Sequence, residues 1–152
     1  MTLRRHGVFT TATAALVAID LATKAWAVRA LENGPIELPG PVDLQLSYND
    51  GIAFGFFDQL PATVLIGASM LIAALLVRAW QTGQAPAVPA SMLVAGATSN
   101  SIDRLESGSV IDMLHLGWWP TFNIADIYIV TGIALWVVLT TWPAPTTVTA
   151  RG

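Results

Sequence analysis

The chain has 152 residues, 54% hydrophobic and only 11% charged, with a mean hydropathy of +0.60, too apolar for a soluble domain of this size; it reads as one integral membrane domain over residues 1–152. It contains no cysteine, which excludes a disulfide framework, a thiolate nucleophile and a zinc-thiolate centre, and two histidines, His6 and His115, are too few for a histidine metal cluster. The net charge of -3 excludes nothing by itself, but its distribution carries information about topology.

A bilayer core of roughly 30 Å takes about 20 helical residues to cross. The first candidate span covers about residues 7–29 and is interrupted by Asp20 and Lys24. Arg4, Arg5, the apolar run and Ala25-Trp26-Ala27 imitate a cleavable signal peptide, but Asp20 and Lys24 stand where its uninterrupted apolar core belongs, so this segment is expected to stay as helix one. The connection that follows, about 30–60, opens with Pro35, Pro39, Gly40 and Pro41, which break any helix. Its residues Val42 to Tyr48 then alternate apolar and polar with period two, as a half-buried strand does.

The second span, about 61–80, holds the cleanest apolar run, Ala62 to Val77. The third, about 85–102, is the weakest, starting with Pro86 and Pro89 and ending in Thr98, Ser99 and Asn100; proline is tolerated in a first helical turn, where its missing N–H has no partner to lose. A polar connection, about 103–123, contains Met113 to Leu116 as a second short strand, and the fourth span covers about 124–142. The fold class expected is therefore a membrane bundle of four transmembrane helices with a small extracytoplasmic β-sheet lobe. Trp118, Trp119, Phe54, Phe56 and Phe57 are expected as interfacial anchors, with core aromatics of that lobe as the equal alternative for the three phenylalanines.

Arg4, Arg5, Arg78 and Arg151 place both termini and the short second loop in the cytoplasm by the positive-inside rule. Apart from Asp20, every Asp and Glu falls in or next to the two outward connections, so the polar chemistry collects at the outer face. Within it, Asp112 and Asp126 lie at the ends of apolar stretches and inside polar clusters, Asn100, Asp103 and Arg104 before the first and Asn123 before the second. Carboxylates at a bilayer edge are costly and usually functional. Two that approach each other form an acid and a base, because like charges held close share a proton. Asn123 and Asp126 sit where helix four begins, and its positive end favours an ionised Asp126 as the base.

In order along the chain, Asp20-Leu21-Ala22-Thr23-Lys24, Asn49-Asp50-Gly51-Ile52-Ala53-Phe54-Gly55, Gly96 to Asn100 with Ser101-Ile102-Asp103-Arg104 and Gly108 to Asp112, and Pro120 to Asp126 resemble the sequence blocks of signal peptidase II, the bacterial lipoprotein signal peptidase. The resemblance implies an intramembrane aspartic endopeptidase of the bacterial cytoplasmic membrane, active near its outer face and removing signal peptides from prolipoproteins before the diacylglyceryl-modified cysteine. It implies Asp112 and Asp126 as the catalytic dyad. Asn49, Asn100, Arg104 and Asn123 fall on positions that orient the dyad or hold substrate backbone. Asp20, Lys24, Gly51, Phe54 and Asp103 fall on structural or substrate-facing positions. Partners expected are lipid-modified prolipoprotein signal peptides and membrane lipids, without nucleic acid, metal or cofactor, for a protein working as a monomer. Ser99 stands where the family usually has glycine, a small-for-small change expected to be tolerated, and the stretch between Asp112 and Asp126 is short.

Plainer structural roles compete with these. Asn123 and Asp126 could be a helix N-cap and its third-position acid. Asp103 and Arg104 could form a surface or interfacial ion pair, Asp20 and Lys24 could neutralise each other at i and i+4, and Asn49 and Gly51 could make a turn. Asn100 and Arg104 are expected at the outer edge within reach of water. A transporter or proton conductor would carry carboxylates near the midplane on several helices, where only Asp20 qualifies, and a scaffold protein would not explain two aspartates in matching polar blocks.

Overall fold

The computed structural model describes residues 2–51 and 60–141. Along the chain these form α1 (Thr2–Ala30), β1 (Asp43–Asn49), α2 (Ala62–Gln81), α3 (Ala87–Ser107), β2 (Val110–Leu116), β3 (Trp119–Phe122) and α4 (Ile124–Thr141). Three of the four helices, α1, α2 and α4, are long and apolar enough to cross a membrane. Their exposed faces carry large apolar side chains such as Val64, Leu71, Ile72, Leu75, Val130, Ile133 and Leu139, as lipid-facing surfaces require.

The helix that falls short, α3, is the centre of the bundle and packs against each of the other three. Its low hydropathy has a physical reason. Ser91, Ser99, Asn100, Ser101, Asp103 and Arg104 are all buried, so its polar groups are spent on neighbours inside the bundle and not on lipid. Pro86 stands at the N-cap and Pro89 in the first turn, where a missing N–H costs nothing. At the other end Gly108 takes the left-handed conformation (φ 86°), ending the helix and sending the chain directly into β2. The contact of α3 with α4 is close because Gly96 faces it: a Cβ built there would lie 2.7 Å from the Ala125 carbonyl oxygen and 2.7 Å from the Ile129 side chain.

The sheet is antiparallel in the order β1-β2-β3, with Ser47 opposite Asp112 and Asn49 opposite Val110. Gly117 (φ 40°) and Trp118 turn β2 back into β3. The expected strand over 113–116 therefore begins earlier and includes Asp112 itself, and a third strand, unforeseen because Trp119-Pro120-Thr121-Phe122 has no clear alternation, fills the short stretch before α4. Ala27, Leu31 and Met113 bury together with Leu44, Leu46 and Leu114 against them, seating the sheet on the end of α1. A second core at the opposite end of the bundle is built on Phe9 stacked at 3.9 Å on Trp80. Trp118 is exposed and Trp119 lies edge-on to it. Phe54, Phe56 and Phe57 lie outside the described residues, as does Arg151.

Candidate active site

The local sequence at the start of α4 makes a reciprocal cap. The Asp126 N–H donates to Asn123 Oδ1 at 3.0 Å and the Asn123 N–H donates to Asp126 Oδ2 at 3.1 Å, so two otherwise orphaned donors are satisfied by side chains. The plain structural role of this pair is thus real, and it does not exhaust the pair. With its oxygen committed to the cap, Asn123 turns its Nδ2 outward, donating to Asp112 Oδ1 at 2.6 Å and to Asn100 Oδ1 at 3.3 Å. One fully buried asparagine therefore touches both aspartates.

Asn49 behaves in the same way at the end of β1. Its Oδ1 accepts the Gly51 N–H at 3.0 Å, a local Asx turn, which leaves Nδ2 to donate to Asp112 Oδ2 at 3.3 Å. The register that sets Ser47 opposite Asp112 brings Asn49 within reach. Phe54, the other residue expected from this block, lies outside the described residues.

Asn100 comes from α3 and links the dyad to α1. Its Nδ2 donates to Asp126 Oδ1 at 3.1 Å, and its Oδ1 accepts from Lys24 Nζ at 2.8 Å. Asp20 and Lys24 do pair, at 2.7 Å, but Lys24 also reaches Asp103 Oδ2 at 2.7 Å, so one buried cation serves two carboxylates and an amide. Asp20 receives two further bonds, from the Ser99 hydroxyl and, at 2.7 Å, from the Ala125 N–H in the first turn of α4. Ser99 is more than a tolerated small residue: its hydroxyl helps to satisfy a carboxylate that is wholly buried. The sequence marked Ser99 only as a small residue in place of a glycine and did not mark the Ala125 N–H at all; only the crossing of α1, α3 and α4 brings them to Asp20.

Two expectations are corrected here. Asp103 and Arg104 do not form a surface ion pair. Both are buried, Asp103 pairing with Lys24 and accepting the Ile111 N–H at 3.2 Å, while Arg104 donates to the carbonyl oxygens of Gly51 and Asn100. They diverge because consecutive residues of a helix project about 100° apart. Nor are Asn100 and Arg104 at a water-exposed edge: each is 9% exposed.

Asp112 lies on the sheet, outside the four helices, and its carboxyl is strongly perturbed. Burial pushes its carboxyl up to about 7, helped by the negative charge of Asp126 and opposed by the amides of Asn123 and Asn49 and the charge of Lys24. A carboxyl near neutrality beside a second carboxylate is the condition for dividing acid and base roles between two chemically identical groups. Among the described residues no group of three or more His, Cys, Asp or Glu side chains converges as a metal site.

Residues 12–142 match the family model described as signal peptidase (SPase) II. The chain is 34% identical over 128 residues to a protein named lipoprotein signal peptidase from Syntrophomonas wolfei, covering 82% of this chain and 86% of that one. It is 35% identical over 142 residues to the protein of the same name from Methylobacterium sp. (strain 4-46), covering 85% and 86%. Among solved structures, a bacterial membrane enzyme determined by the in meso method at 1.9 Å resolution superposes with a TM-score of 0.77 at 23% identity, over 91% of this chain and 95% of that one, a likeness of fold.

Proposed function

The chain belongs to the signal peptidase II family, a family of proteases, and we propose that it is an intramembrane aspartic endopeptidase that removes signal peptides from prolipoproteins, cleaving before the diacylglyceryl-modified cysteine. The observation that carries the reading is Asn123, whose side chain holds Asp112 while its backbone and amide oxygen hold Asp126.

Asp126 is the base in this reading. Both of its oxygens face N–H donors, from Asn123 and Asn100, and it sits at the positive end of α4, all of which favours the carboxylate. Asp112, held near 7, carries the proton. Water attacks the scissile carbonyl carbon and gives its proton to Asp126 while Asp112 protonates the carbonyl oxygen, leaving a neutral tetrahedral diol. Collapse breaks the C–N bond, the amine takes the proton from Asp126, and a hydroxyl proton returns to Asp112. The pair ends as it began. Asn123 orients both carboxyls, Asn49 steadies Asp112, and Arg104, which already holds the Gly51 carbonyl, holds substrate backbone in this reading.

All four helices cross the bacterial cytoplasmic membrane in this proposal, as one domain over residues 1–152. The shielding of α3 by α1, α2 and α4 supports including it despite its polar face. Both termini then lie in the cytoplasm and the sheet and dyad near the outer face. The partners are lipid-modified prolipoproteins and membrane lipids, and the enzyme acts as a monomer. Purified protein in detergent, given a lipidated precursor peptide, should cleave it, and Asp112→Asn and Asp126→Asn should each abolish cleavage while the protein still folds. Substantial turnover by either folded variant would remove the dyad from the mechanism.

A further inference from the structure

Lys24 is as fully buried as Asp112 and more so than Asp126, yet the hydrolysis does not use it. Its three N–H bonds are all engaged, with Asp20, Asp103 and Asn100. The bond to Asn100 differs in kind from the other two. An ammonium group can only donate, so the atom of Asn100 facing it must be the amide oxygen. A primary amide has its oxygen on one side and its NH2 on the other. Fixing the oxygen toward Lys24 therefore fixes the NH2 toward Asp126. Asn123 reinforces the same orientation, because its own oxygen is held by the Asp126 N–H and its NH2 is the group that meets Asn100 Oδ1.

We infer that Lys24 is a positioning residue for the hydrolysis: acting through Asn100, it sets the amide orientation so that an N–H, and not an oxygen, faces Asp126. The inference rests on the reading of Asp126 as the base. Without a pure donor at position 24 the Asn100 amide can turn over, presenting an oxygen to the Asp126 carboxylate and leaving one of its oxygens without a donor. The base would then be misoriented and its ionised form disfavoured, while the surfaces that meet substrate stay as they are.

Lys24 also neutralises Asp20 and Asp103, so a single replacement mixes two effects. The double variant Lys24→Gln with Asp103→Asn separates them. It removes one positive and one negative charge, leaving the buried charge balance unchanged, and glutamine can offer either a donor or an acceptor to Asn100. On a lipidated precursor peptide it should lower kcat by about ten- to a hundredfold with KM within about twofold of the parent, the scale of losing one buried hydrogen bond in the right sense. A folded double variant with the parent's kcat would reduce Lys24 to charge balance and overturn the inference, as would a loss confined to KM.

A second measurement does not need that variant to fold. In protein labelled with 15N at asparagine side chains, the Asn100 NH2 resonances, assigned by their loss in Asn100→Ala, should move when Asp126 is changed to asparagine. Resonances that do not move would mean that no N–H faces residue 126. Failure of the unaltered protein to cleave any lipidated precursor would count against the proposed function and leave the amide orientation to be settled by the resonances.

Discussion

Replacing Asp112 by asparagine should abolish cleavage and, at neutral and alkaline pH, make the protein more resistant to unfolding. A carboxyl raised from 3.8 to about 7 destabilises the folded state whenever it must ionise, by about 4 kcal/mol at the limit. The sign follows from the direction of the shift. For a group whose folded pKa is raised, the stability it contributes is complete below the unfolded value and lost as pH rises toward the folded one, so the loss accrues between about pH 4 and pH 7. From pH 5 to pH 8 the unaltered protein should lose about 2 to 3 kcal/mol through this group. Asparagine removes that term and introduces a smaller one. Its oxygen can still accept from Asn123 at the 2.6 Å contact, but its NH2 would meet the Asn49 NH2 at the 3.3 Å contact, a mismatch of about 1 to 3 kcal/mol unless Asn49 turns. The net outcome is a variant that is near parity with the parent at pH 5 and gains on it steadily toward pH 8. The assay is thermal unfolding of both proteins in the same detergent across that range, with cleavage measured beside it. In the unaltered enzyme cleavage should fall as pH rises through about 7, where Asp112 loses the proton it must donate. Unfolding curves for the two proteins that shift in parallel with pH would refute the placement of a raised carboxyl at Asp112.

Gly96→Ala should lower cleavage strongly, because a Cβ 2.7 Å from the Ala125 carbonyl pushes the first turn of α4, and with it Asp126, away from Asn100; an activity equal to the parent would show that this turn is free to shift. Asn100→Ala should cost stability as well as activity, about 1 to 3 kcal/mol in unfolding, since Lys24 and Asn123 both lose a buried acceptor; a thermally unchanged variant would contradict the network. Asp20→Ala should be worse still, at about 3 to 5 kcal/mol, because it removes the partner of a buried lysine and of the Ser99 hydroxyl and Ala125 N–H together; a smaller loss than for Asn100→Ala would reverse the ranking. Single cysteines introduced into this cysteine-free chain near residues 45 and 115 should label from outside the cell, and those near 83 and 150 only after permeabilisation; outside labelling at 83 would overturn the proposed topology.

The chain's apolar spans and its period-two segment sufficed to foretell helices and a small sheet, because lipid and pleat each impose a period that composition must obey. The family was legible too, in four short blocks whose order along the chain is itself the signal. Partnership within one helix, as for Asp20 with Lys24 and Asn123 with Asp126, was legible from spacing, but partnership between elements was not. That Asp103 joins Lys24 and not its neighbour Arg104, that Ser99 serves Asp20, and that Asn100 is a buried hub and not an edge residue all depend on α3 being surrounded by α1, α2 and α4. Sequence spacing states which face of a helix a residue occupies. It carries no record of which other helix covers that face, and a hydrogen bond between residues 105 positions apart, as from the Ala125 N–H to Asp20, exists only once the helices have packed.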